Sequence, residues 1–242
     1  MTVGIRAGLV AATLMISLSG CATTQQAAPR DPWERVNRGT QRFNDAVDRA
    51  VLKPVATGYR GFVPQVIRTG VRNFIGNLMF PTTIVNDLLQ LKLLDTGADI
   101  GRFALNSTLG IGGLLDPATS AGIPRNDEDF GQTLGRWGVP AGPYIVLPLL
   151  GPSTLRDTPA IAADWQTDLR NQLDLDTGTR VALGAQAVVV RRESLLSIDE
   201  TLEGVFDRYA FIRNAWLQRR EYLVRDGDVP EEPLPELEPE NP

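Results

Sequence analysis

The chain has 242 residues, 43% of them hydrophobic and 22% charged, with a formal net charge of −5. That size and balance suit one domain with a sizeable core, and they exclude wholesale disorder, collagen-like repeats and a small disulfide scaffold. The absence of histidine and the presence of one cysteine, Cys21, exclude Ser-His-Asp and Cys-His catalysis, His-ligated zinc, thiolate metal cages and any intrachain disulfide.

Residues 1–20 read as a secretory signal peptide, with Arg6 as the basic start and 7–18 as an apolar run too short to span a bilayer. The run ends in Leu18-Ser19-Gly20-Cys21, which resembles a bacterial lipobox. Cys21 is therefore the expected lipid-attachment site. Several acyl chains at about 0.8 kcal/mol per buried CH₂ give stable attachment where one would be marginal. By resemblance to known sorting, Ala22 favours the outer membrane over inner-membrane retention. Residues 21–30 form a polar tether.

The domain expected over 31–225 opens with a helix capped by Asp31, carrying Pro32 at its first position and Glu34 three residues after the cap. Its stripe of Val36, Thr40, Phe43, Val47 and Val51 ends at Lys53-Pro54. A second helix starts after Pro64, with Ile67, Val71, Phe74, Ile75 and Leu78 on one face, and stops before Pro81. Residues 82–94 are apolar on more than one side, and a helix follows over 96–106. The glycine-rich stretch 108–115 is a poor soluble helix and predicts a bend packed within the protein or against lipid.

Seven prolines punctuate 116–160, a loop region with one short strand at 144–147. Helices resume over 160–170, 179–192 and 195–224, and an acidic tail occupies 226–242. Removing leader and tail leaves a nearly neutral body, without the basic footprint of a nucleic-acid binder. No mature window is long and apolar enough for a spanning helix, and the alternation of outer-membrane barrel strands is missing.

No motif carries catalysis, a metal or a cofactor. Gly110-x-Gly112-Gly113 lacks the rest of a nucleotide loop, Asp127-Glu128-Asp129 lacks the closing Glu of a calcium loop, and Ser153 has no G-x-S-x-G elbow. More unusual is the recurrence of Asn37, Asn44, Asn73, Asn77, Asn86 and Asn106, with Arg102, among apolar residues. Singly they cap helices or satisfy turns. Together they suit a lipid-facing exterior around a wet, polar interior.

These residues belong to ordered blocks that resemble the MlaA (VacJ) family. The blocks are Asp31-Pro32-Trp33-Glu34-x-x-Asn37-Arg38, Phe43-Asn44, Lys53-Pro54-Val55-Ala56, Asn73-Phe74-x-x-Asn77-Leu78 and Asn86-x-Leu88-Leu89-Gln90. The strongest runs from Arg102-Phe103 through Asn106-Ser107-Thr108-Leu109-Gly110-x-Gly112-Gly113. It is followed by Asp129-Phe130-Gly131-x-Thr133-Leu134-Gly135-x-Trp137-Gly138-Val139 and Gly151-Pro152-Ser153-x-Leu155-Arg156-Asp157.

The resemblance implies a mainly α, ring-like bundle of amphipathic helices around a polar channel, with Pro/Gly-rich loops and at most a short β-hairpin. It implies an outer-membrane lipoprotein, embedded in the periplasmic leaflet, that is not an enzyme. Such a protein removes misplaced phospholipids from the outer leaflet and passes them to a periplasmic lipid carrier, with a trimeric porin as membrane partner. Candidate channel or gate residues are Phe43, Asn44, Asn73, Asn77, Asn86, Arg102 and Asn106. A structural lipoprotein scaffolding a barrel complex is the alternative. A phospholipase has no histidine or serine elbow to support it.

Overall fold

The computed structural model describes residues 31–228, so the leader, Cys21 and most of the acidic tail lie outside it. The described chain is mainly α, with one two-stranded sheet.

Helix α1 (Glu34–Val47) continues through a π-helical turn (Asp48–Leu52) into α2 (Lys53–Phe62), so Lys53-Pro54 does not end it as expected. A proline offers no N–H and its ring crowds the carbonyl four residues back. The wider π turn just before Pro54, where the Lys53 N–H reaches the Asp48 carbonyl, puts the proline in the first turn of α2, where its missing donor costs little. Helix α3 (Gln65–Leu89) likewise runs through Pro81 rather than stopping before it. Its flanks pack along α4 (Leu93–Thr108) on one side and against later helices on the other, and that packing outweighs the local penalty of about 3 kcal/mol.

Short helices α5 (Pro117–Ser120) and α6 (Phe130–Arg136) interrupt the loop region. Strands β1 (Tyr144–Leu147) and β2 (Gly151–Thr154) then pair antiparallel, with Tyr144 opposite Thr154 and Leu147 opposite Gly151. The expected strand is present, and its partner completes the short β-hairpin that the family resemblance allowed. Helices α7 (Asp157–Thr167), α8 (Leu169–Gln172) and α9 (Thr177–Ser194) follow.

The long helix expected over 195–224 is broken into a 3-10 turn, α10 (Asp199–Glu203) and α11 (Arg208–Val224). Asp207 makes the new start, its carboxylate accepting the Ala210 N–H at 3.1 Å. Asp226–Asp228, expected in the tail, belong to the folded body: Gly227, at φ +86°, turns the chain after α11, and Asp226 pairs with Lys92 and Arg136.

The hairpin is fastened by side chains rather than by a third strand. Asn37 Nδ2 donates to the Tyr144 carbonyl at 2.9 Å while its Oδ1 accepts the Val146 N–H at 2.9 Å. Two helical turns on, Asn44 donates to the Leu147 carbonyl and accepts the Leu149 N–H. Each amide imitates one peptide group of a missing strand. Seven helical residues rise about 10.5 Å, and three strand residues about 10 Å, so the two repeats match.

Asp31 does not cap α1. It is fully buried and accepts from Asn37 Nδ2 at 2.8 Å, the Tyr209 hydroxyl and Arg213 Nη1 at 3.0 Å. Tyr144, Val146 and Tyr209 close a small core there, with Trp216 and Leu217 packed on it. Asn37→Leu, which removes the surrogate peptide group and strands the Tyr144 and Val146 backbone groups, should destabilise the protein by about 2–4 kcal/mol. Denaturant unfolding of the protein in detergent micelles checks this, with Arg35→Leu on the exposed face as a control expected near zero.

Candidate functional site

The described residues invert the usual distribution of polarity. Nine apolar side chains are buried, against nineteen polar or charged ones that include Asp31, Asn86, Asp87, Asp99, Arg102 and Asn106. Large apolar side chains stand outside instead: Phe62 and Leu94 are each 91% exposed and Val66 82%. In water such a surface would be a liability, whereas in hydrocarbon it is the stable arrangement. No described helix is long and apolar enough to cross a membrane.

A polar cleft opens beside α3 and α4, lined by Asn73, Gly76, Asn77, Phe80, Arg102, Asn106, Asp116 and Arg125. One face comes from α3, which places Asn73, Gly76 and Asn77 within a single turn or so of one another. The opposing face comes from α4, through Arg102 and Asn106, and from Asp116 and Arg125 beyond it. Arg102, 3% exposed, donates to both oxygens of Asp116 at 2.8 and 2.6 Å, to Thr119 Oγ1 at 2.8 Å and to the Ile123 carbonyl at 2.7 Å. Asn106 donates to Asp116 at 3.0 Å and accepts the Ala118 N–H at 3.1 Å.

Burial pushes the Asp116 carboxyl up, but hydrogen bonds from Thr119 and Asn106 and the Arg102 charge prevail, so it lies below the ordinary carboxylate value. Asn77 donates to Ser107 Oγ at 2.9 Å, and Gly113 sits directly on it. A Cβ at Gly113 would stand 2.5 Å from Asn77 Cβ, and φ of +93° there also demands glycine. The expected bend at 108–115 is therefore a packed turn whose tightness closes the cleft. The enclosed space is about 20 Å³, room for roughly one water.

A family model described as "MlaA lipoprotein" matches residues 29–223. The chain belongs to the MlaA lipoprotein family. Relatives include the intermembrane phospholipid transport system lipoprotein MlaA of Escherichia coli, 36% identical, the match covering 88% of this chain and 86% of that one. The Haemophilus influenzae protein of the same description is 34% identical, covering 94% and 95%. An uncharacterised Rickettsia bellii protein is 38% identical over 81% of this chain and 77% of its own. A solved structure described as the structural basis for maintenance of bacterial outer membrane lipid asymmetry matches with a TM-score of 0.72 at 34% identity, covering 80% of this chain and 98% of that one.

In this MlaA family member the residues singled out from sequence fall in three places. Asn73, Asn77, Arg102 and Asn106 share the cleft. Asn86 lies apart from it, donating to the Thr82 carbonyl and Asp164 while accepting from Thr133 Oγ1 at 2.7 Å, and so ties α3 to α6 and α7. Phe43 is half exposed on α1, and Asn44 holds the hairpin turn. Arg125 and Asp116 completed the cleft without being foreseen. Asp116 had a readable signal, a helix cap three residues before Thr119; Arg125 sits in a loop with no periodicity to single it out.

Also unforeseen is a carboxyl pair between α3 and α4. Asp87 and Asp99 are both fully buried. Burial, then the neighbouring Asp99 and Glu128, push the Asp87 carboxyl up to about 8, and burial raises Asp99 as well. Lys92 and Arg102 are the nearby cations, Asp95 a further acid, and Asn126 Nδ2 donates to Asp99 Oδ2 at 3.2 Å. Held together, the two carboxyls keep one proton between them. Unfolded, Asp87 releases its proton near pH 4, so from there up to about pH 8 the native state binds more protons and stability falls as pH rises. The slope should not exceed about 1.4 kcal/mol per pH unit. Asp87→Asn, whose amide donates to Asp99 without titrating, should flatten that slope when unfolding is measured from about pH 5 to about pH 9. An unchanged slope would assign the dependence elsewhere.

Proposed function

We propose that this chain is an outer-membrane lipoprotein that withdraws misplaced phospholipids from the outer leaflet and passes them through a polar passage to a periplasmic lipid carrier, maintaining lipid asymmetry. The observation that carries this reading is the distribution of polarity: Asn, Asp and Arg are buried while many large apolar side chains stand exposed. A phospholipid crossing a leaflet needs polar groups for its head while its tails stay in hydrocarbon, because an uncompensated charge in hydrocarbon is prohibitive. Asn73, Asn77, Arg102 and Asn106 supply such groups together, and the relatives' description as a phospholipid transport system supports the cargo.

In this reading residues 1–20 are removed, Cys21 carries the lipid anchor, 21–30 tether it, and the rest of the acidic sequence beyond 228 is tail. The helical body sits in the periplasmic leaflet beside a trimeric porin, its exposed apolar side chains against lipid and partner. Asn86 supports the passage by fixing α3 against α6 and α7. Phe43 and Asn44 hold it at rest, Asn44 through the hairpin turn, where Leu149 and Leu150 are exposed.

Outer-leaflet phospholipid in a deletion strain tests the proposal. It should rise, fall back with the wild-type gene and stay high with Cys21→Ala. Loss of Phe43 and Asn44 together should raise it even beside a wild-type copy, because an open passage lets lipid escape. An unchanged outer leaflet, with barrel proteins disturbed instead, would favour the envelope-scaffold alternative.

A further inference from the structure

Arg125 is the cleft residue whose chemistry is unspent. Arg102 is already engaged by Asp116, Thr119 and the Ile123 carbonyl. Arg220 is likewise engaged, donating to Asp129 and Asp157. The Arg125 guanidinium lines the cleft, yet among the described residues it has no hydrogen-bond acceptor and no ion-pair partner.

It rests on the backbone of α3 at Gly76. A Cβ at that glycine would stand 2.9 Å from Nη2 and 3.5 Å from Nη1, so the missing side chain is what seats the guanidinium. Asn73 lies beside it with a spare donor, since its Nδ2 makes only a 3.4 Å contact to the Leu114 carbonyl. Asp116 is neutralised by Arg102, which leaves the cleft with one positive charge, that of Arg125.

We propose that Arg125, aided by Asn73, binds the phosphodiester of a phospholipid headgroup at the mouth of the cleft. The proposal deepens the phospholipid reading above and rests on it. A planar guanidinium offers parallel donors matched to two phosphate oxygens, and one phosphodiester carries the one negative charge needed to balance the cleft. The enclosed space admits no phosphate, so the group binds on the outward side, where Arg125 is exposed. Leu114 and Leu115, which precede Asp116 and stand 42% and 55% exposed, give the acyl chains an apolar surface beside the headgroup. A ligand with both characters fits better than a free anion.

The test equilibrates the full lipidated protein, in detergent micelles, with radiolabelled phosphatidylglycerol and with diacylglycerol of the same chains. Wild type should retain the phospholipid preferentially. Arg125→Gln should lower phosphatidylglycerol retention about threefold to tenfold while leaving diacylglycerol unchanged. Arg125→Lys, which keeps the charge, should recover part of the loss, and Gly76→Ala, which unseats the guanidinium, should share it. A wild-type lipid ratio in Arg125→Gln overturns the proposal and leaves the transport reading standing. Equal loss of both lipids overturns it too, as the mark of a structural role. Displacement of phosphatidylglycerol by inorganic phosphate at equal concentration would make this a free-anion site and sink the lipid assignment. If wild type retains neither lipid, the transport reading fails with it.

Discussion

Polar groups buried out of reach of bulk water must find their partners within the protein, and most of this structure follows from satisfying them. The buried set is rich in side chains with both a donor and an acceptor, and these are used as substitutes for backbone. Asn37 and Asn44 complete a hairpin edge; Asn106 offers both ends at once, one to Asp116 and one to the Ala118 N–H. Asparagine suits this work because its amide repeats the geometry of a peptide group while sparing the interior a charge.

Charges are admitted where several partners share them. Asp116 is held by Arg102, Asn106 and Thr119, and Asp129 and Asp157 meet the Arg220 guanidinium from two sides. Breaking one partner from such a group leaves an uncompensated buried charge, which costs far more than the intact pair contributes. These networks thereby define where α4, α6, α7 and α11 must sit. Asp87 and Asp99 follow the other available route, keeping a proton where no cation reaches both.

Much of this was readable in the sequence, for identifiable reasons. Apolar periodicity located α1 and α3, the expected helices over 96–106 and 179–192 fall within α4 and α9, and the strand at 144–147 stood out between turn residues. The cluster of asparagines on apolar faces pointed to the cleft, since four of the residues named from it converge there. Local rules failed where tertiary contacts overruled them. Pro54 and Pro81 break isolated helices, yet a π turn accommodates one and packing on both flanks retains the other. Asp31 has the chemistry of a helix cap, but Asn37, Tyr209 and Arg213 claim it. The last helix was read too long because a cap at Asp207 restarts it, and the tail too early because Asp226 finds Lys92. The partnership of Asp87 with Asp99 and the seat of Arg125 on Gly76 depend on residues far apart in sequence, which no local pattern reveals.

The match between two turns of α1 and three residues of β1 makes the helix a ruler for the hairpin. Its two marks, Asn37 and Asn44, are held at a fixed spacing by the strand they serve. Evolution can therefore exchange one apolar side chain for another along the outer face of α1, but cannot insert or delete a single residue between the marks. One such step would turn the second amide by about 100° around the helix and take it off the strand. The interval itself is something descendants of this sequence are bound to keep.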